Sequence, residues 1–304
     1  MTTFLERLQH GGPLLLDGAT GTELNRRGVD TGLPLWSANA LLTEEGQRIL
    51  LQIHEDYLRA GAEILTTNTF RTHRRALAPS GRAGLALELT RRAVEIARTA
   101  LVNVPAERPR FLAGSISTLE DCYRPDLVPS DQELYDEHAE RVQHLARAGV
   151  DLFMIETINT LREARVIACL AVETGLPVVV SFVCDRNGRI LSGESLRDAA
   201  RQLLPLRVAA LGVNCAPTPD LHRGLAELRA ACPPDFPLIA YGNIGYADDQ
   251  VGWINTDAVH PQAYCEYARR WPARIVGGCC GTTPAHIAAL HDALHDGDSD
   301  TATA

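Results

Sequence analysis

Three of the eight cysteines sit in two short motifs: Cys215 closes VAALGVNC, and Cys279 and Cys280 close ARIVGGCC. Each motif ends a run of β-branched and apolar residues of strand length. Three thiolates brought together make an open zinc site, because zinc takes cysteine sulfur readily and a catalytic site leaves one of four positions free. An all-sulfur donor set suits a substrate thiol in that position, where zinc would hold it as a thiolate. Adjacent cysteines could alternatively form a vicinal disulfide or a redox pair. Successive strand residues point to opposite faces, so Cys279 and Cys280 cannot both reach one ion from a regular strand. The glycines around them, Gly277, Gly278 and Gly281, allow the backbone to leave strand geometry there. Cys169, Cys184, Cys232 and Cys265 read as small buried hydrophobes.

The elements that must position these sulfurs follow from periodicity. Apolar runs of strand length occur at 13–17, 63–68, 110–116, 151–156, 177–184, 208–215, 238–243 and 274–279. Helical patterns lie between them near 43–60, 82–102, 131–148, 160–174, 195–205, 219–231 and 261–270, with a last one at 284–295. RAGAEIL, RAGVDLF and ETGLPVV each place a glycine just past a helix, as a left-handed cap requires. Strict alternation with buried strands implies a parallel sheet, and eight units favour a closed (β/α)8 barrel in the α/β class. The expected organisation is one domain over 1–295 and a polar tail over 296–304. Long connections at 18–42, 117–130 and 245–260 follow strands 1, 3 and 7, on the face where such barrels build their sites.

Polar residues stand at every strand end. Asp17 ends strand 1, Thr67 and Asn68 strand 2, and Ser115 strand 3. Glu156 ends strand 4, Ser181 lies near the end of strand 5, and Asn214 with Cys215 ends strand 6. Asn243 ends strand 7 and Cys279 strand 8. Asp17 could simply cap the following turn. A buried Glu156 is harder to dismiss, because an unpaired carboxylate is costly to bury; it should face a cation, either a side chain or a ligand ammonium. The ten histidines have no ligand spacing and are assigned no chemistry.

Composition narrows the function. The 304 residues carry 29 basic and 38 acidic side chains, net charge −9, which argues against a nucleic-acid or anionic-membrane surface. No run is long and apolar enough to span a bilayer. Cysteine spacing is not that of a disulfide framework, so the expected compartment is the reducing cytoplasm.

The series LLLDGATGTEL, TTNTF, DLFMIET, GVNC and GGCCGTTPAHI resembles the homocysteine S-methyltransferase family over nearly the whole chain. The resemblance implies a barrel enzyme that carries a methyl group to the thiol of homocysteine, with zinc on Cys215, Cys279 and Cys280. It also implies that Asp17 and Glu156 lie near the amino-acid end of homocysteine, with Thr67, Asn68 and Asn214 in the same pocket. PLWSANALL resembles the segment of members that use S-methylmethionine, which places Trp36 near the donor; S-adenosylmethionine and betaine are the alternative donors. Two segments depart from that pattern. GSISTLEDCYRPDLVP replaces a Gly-Pro-x-Gly turn after strand 3, and YGNIGYAD replaces Tyr-Pro-Asn-Ser-Gly after strand 7. Both overhang the donor side. A non-catalytic zinc-binding barrel would leave Asp17 and Glu156 unexplained.

Overall fold

The computed structural model describes residues 2–295 apart from 249 and 251, so the tail expected at 296–304 lies outside the described residues. Eight parallel strands form the barrel: β1 (Leu14–Leu15), β2 (Ile64–Thr66), β3 (Phe111–Ile116), β4 (Leu152–Ile158), β5 (Val178–Phe182), β6 (Ala210–Pro217), β7 (Leu238–Asn243) and β10 (Ile275–Gly278). Their order is β1-β10-β7-β6-β5-β4-β3-β2. A parallel bridge between Leu16 and Ile64 joins the first strand to the last and closes the ring. Glu63 N donates to Leu15 O at 2.8 Å and Asp17 N to Ile64 O at 3.0 Å across the same seam.

All eight expected strands are present, as are the eight expected helices. These helices are α3 (Glu44–Arg59), α5 (Ala86–Asn103), α6 (Asp131–Ala148), α7 (Leu161–Val172), α8 (Leu196–Leu203), α9 (Leu221–Ala231), α10 (Pro261–Ala268) and α11 (Pro284–His295). Gly61, Gly149 and Gly175 have φ of 102°, 81° and 80°, the left-handed caps their position calls for. Alternation sorts the strand residues. Leu14, Leu16, Ile64, Phe111, Leu152, Met154, Val179, Ile239 and Ile275 fill the barrel, while their neighbours pack outward on the helices.

The N-terminal face is plugged by α1 (Phe4–Gln9), whose Phe4 ring meets Phe111 edge-on at 5.5 Å. Arg7 ties the plug to Glu63 with bonds of 2.9 and 2.8 Å. The long connections carry structure that periodicity does not reveal because the pieces are short. α2 (Thr20–Arg26) and a 3-10 turn (Trp36–Leu42) follow β1, α4 (Arg74–Leu77) follows β2, and an antiparallel hairpin, β8 (Gly245–Asp248) and β9 (Gly252–Asn255), follows β7. They gather at the C-terminal face.

Candidate active site

Cys215, Cys279 and Cys280 present sulfurs that all lie within 4.8 Å of one another. The Cys215 and Cys280 sulfurs are 3.7 Å apart. A tetrahedron with metal–sulfur bonds of about 2.3 Å has edges of about 3.8 Å, so this pair is already spaced as two vertices of a zinc site. None of the three is in a disulfide. The backbone achieves this in two ways. β6 has a register shift between Asn214 and Pro217, and Cys215 there takes φ 54°, a left-handed conformation that turns its side chain. β10 ends at Gly278, and Gly281, with φ 85° and Ile244 packed where a side chain would go, turns the chain so that both adjacent cysteines face the same point. Asn243 Oδ1 accepts from Cys280 N at 3.0 Å and fixes that turn. Hydrogen bonds from Cys279 and Cys280 hold the Cys215 thiol well below its usual range, while their own thiols are held well above.

Across the cavity stand two sealed carboxyls. Asp17, 2% exposed, accepts from Thr66 N at 2.7 Å and Thr66 Oγ1 at 2.9 Å. Burial pushes it up to about 8, against the pull of those bonds. Glu156, 9% exposed, is pushed by burial up to about 7. Its oxygens contact Ser115 Oγ at 2.5 Å and the Tyr241 hydroxyl at 3.1 Å. Tyr241 continues to Ser181 Oγ at 2.8 Å, and Ser181 to Asn214 Oδ1 at 2.8 Å. Asn214 Oδ1 also accepts from Thr157 N at 3.0 Å, and its Nδ2 donates to Thr157 Oγ1 at 2.8 Å. Among the described residues, neither carboxyl has an ion-pair partner within 4.0 Å. No side chain among the described residues supplies the cation expected for Glu156.

The cavity between these walls has a volume of about 690 Å³. Trp36, Phe70, Tyr123, Tyr246 and Trp253 line its outer part. Trp36 and Phe70 meet edge-on at 5.5 Å, and the Trp36 ring lies where a Gly21 side chain would be. The Tyr123 hydroxyl reaches within 3.1 Å of the Cys215 sulfur.

The structure brings together Cys215, Cys279, Cys280, Asp17, Glu156, Thr67, Asn68 and Trp36 around one cavity. Asn214 departs from its expected place in the pocket. It is fully buried beneath the cavity, and its amide is spent on Thr157 and Ser181. Asp17 does not cap the turn after β1; it grips β2. Tyr123, Tyr241, Tyr246 and Trp253 were not singled out by sequence. Tyr241 could have been found from strand alternation, which puts it on the barrel interior. The loop aromatics carry no such signal.

Comparison with known proteins agrees with this constellation. The profile of the homocysteine S-methyltransferase family matches residues 14–294. This chain belongs to that family. The homocysteine S-methyltransferase of Escherichia coli is 34% identical over 302 residues, covering 91% of this chain and 94% of its own. The selenocysteine methyltransferase of Astragalus bisulcatus is 30% identical, covering 100% of this chain and 98% of its own. The metallated crystal structure of the E. coli homocysteine methyltransferase MmuM superposes with a TM-score of 0.79 at 31% identity, over 93% of this chain and 96% of that one. The three clustered sulfurs form a group that could hold a metal ion.

Proposed function

We propose that this protein transfers a methyl group from an onium donor, foremost S-methylmethionine, to the thiol of homocysteine, with zinc held by Cys215, Cys279 and Cys280. The observation that carries the reading is three unpaired thiols converging on one wall of a cavity whose other walls are two sealed carboxyls and a set of aromatic rings. A soft, tetrahedral all-sulfur donor set fits zinc among divalent metals. Zinc, when bound, supplies the Lewis acidity that keeps an acceptor sulfur ionised at neutral pH.

The side chains then have distinct tasks. Glu156 and Asp17 receive the acceptor's ammonium, the cation that neither finds among the described side chains. Thr67 and Asn68 shape the same end; Asn68 Nδ2 is anchored to Ser37 O at 2.9 Å. Trp36, with Phe70, offers a ring face to the donor's positive centre, worth ~0.5–2 kcal/mol. The acceptor sulfur forms a bond to the methyl carbon as the donor's sulfur–methyl bond breaks, and the donor leaves uncharged. No proton moves at the reacting carbon, so the cavity's contribution is to align two sulfurs about one methyl. A cavity of this size also has room for S-adenosylmethionine as second donor. The thiol-dependent site fits a reducing, cytoplasmic setting, and no helix among the described residues is long and apolar enough to cross a membrane.

The test is methionine formation by zinc-loaded protein from homocysteine and each donor in turn. S-methylmethionine should be used fastest, then S-adenosylmethionine, then betaine. Cys215→Ala, Cys279→Ala and Cys280→Ala should each lose zinc and activity, whereas Cys169→Ala, on the outer face of α7, should keep both. Trp36→Ala should weaken donor use far more than homocysteine binding. Purified protein without stoichiometric zinc under reducing conditions, and indifferent to added zinc, would reject the metal assignment.

A further inference from the structure

Arg71 is the one basic side chain among the residues lining the cavity. It is half-buried, next to Phe70 at the aromatic end. Its guanidinium has five N–H donors. Among the described residues it makes one hydrogen bond, from Nη1 to Pro34 O at 3.4 Å, and no carboxylate lies within 4.0 Å of it. Burial chiefly, with the charge of Arg71 contributing, holds both His73 and Arg141 below their usual ranges. Other arginines at this face are already paired: Arg75 with Glu120, Glu133 and Glu137, and Arg124 with Asp126 on an exposed loop.

A half-buried guanidinium with no carboxylate within 4.0 Å of it among the described residues is costly unless a ligand supplies one. We infer that Arg71 is the docking group for the carboxylate of the methyl donor, so that the donor is a zwitterion with its onium centre on the rings and its carboxylate on Arg71. The inference rests on the methyl-transfer reading above and adds to it the residue that receives the donor's carboxylate.

Placement favours the donor over the acceptor. An α-amino acid carries ammonium and carboxylate on one carbon, so the acceptor's carboxylate must lie beside Asp17 and Glu156. Those groups are sealed at 2% and 9% exposure, whereas Trp36, Phe70 and Arg71 form a half-buried outer tier. Arg71 and Asn68 both bond to the segment that carries Trp36, through Pro34 O and Ser37 O, so ring and guanidinium are held by one scaffold. Among the described residues that line the cavity, Arg71 alone offers a carboxylate a cationic side chain.

The experiment compares two donors with zinc-loaded enzyme and homocysteine: S-methylmethionine and its α-carboxamide, which keeps the sulfonium and lacks the carboxylate. Arg71→Gln should raise the donor KM about 10- to 100-fold for S-methylmethionine, the loss of a charged hydrogen-bonded pair. It should leave the carboxamide KM, the homocysteine KM and the zinc content unchanged. Arg71→Lys should recover part of the loss, since it keeps the charge but not the planar fork. Equal effects on both donors, or a shift in the homocysteine KM instead, would overturn the inference while the wild-type enzyme's activity leaves the reading of function standing. A wild-type enzyme that uses neither donor would bring down both.

Discussion

The hydrogen-bond chain beneath the cavity has a countable number of protons. The Thr157 N–H must donate to Asn214 Oδ1, so that oxygen can only accept. From it run three contacts, to Ser181, Tyr241 and Glu156 Oε2, at 2.8, 2.8 and 3.1 Å. Two hydroxyl protons cannot fill three contacts. With Glu156 ionised, one pair of oxygens faces without a proton; with a proton on Oε2, all three are satisfied. Burial pushes the group in the same direction, from 4.5 to about 7. The unfolded chain releases this proton near pH 4.5, while the folded chain keeps it to about 7. Stability therefore falls as pH rises through that window, and the full loss is present above it. At 1.36 kcal/mol per unit the loss is on the order of 3 kcal/mol. Glu156→Gln presents the same donor and acceptor at every pH. Its unfolding temperature should match wild type near pH 4.5 and exceed it at pH 8, while its homocysteine KM rises sharply through loss of the ammonium's partner, worth ~2–5 kcal/mol. Parallel melting curves across pH would reject the protonated carboxyl. Unchanged homocysteine kinetics would reject the ammonium role.

At the scale of elements, two irregular strands aim the chemistry. β4 shifts register between Ile155 and Ile158, with Thr157 at φ 57°, and β6 between Asn214 and Pro217, with Cys215 at φ 54°. Non-glycine residues there cost on the order of 1–3 kcal/mol each and persist only where their surroundings hold them. Asn214 is the holder: it lies beside Cys215 in sequence and bonds both the backbone and hydroxyl of Thr157, the neighbour of Glu156. The strands that carry Cys215 and Glu156 are thus locked to each other. Asn214→Ala would strand the buried Thr157 N–H and Ser181, at about 2 kcal/mol or more. Chemical denaturation should show that loss, and competition with a chelator should show weaker zinc retention although no ligand has been changed. A variant with normal zinc affinity would disprove the lock.

The whole barrel separates stability from chemistry by its two ends. Phe4 and Leu8, each 3% exposed, seal the N-terminal face, while the site occupies the other. Phe4→Ala should cost about 3 kcal/mol in denaturant unfolding, from the lost burial and the cavity left behind. Its KM values for donor and acceptor should stay at wild-type levels below the unfolding transition. Altered KM values would mean that the plug communicates through the interior.

What the sequence determined by itself was the repeating unit. Strand and helix periods are local, so eight strands and eight helices were legible, and the two cysteine motifs offered candidate metal ligands through residue type alone. The polar strand ends were legible for the same reason, since alternation assigns Ser115, Glu156 and Ser181 to one interior. Tertiary structure decided which groups meet. Asn214 reads as a pocket residue beside Cys215, but a bulge places its amide under the floor. Tyr123 lies in a segment without periodicity, and only closure of the ring brings it to the cavity with residues far away in sequence. Side-chain direction at a bulge, and contact between loops, depend on the packing of distant segments, which no local pattern encodes.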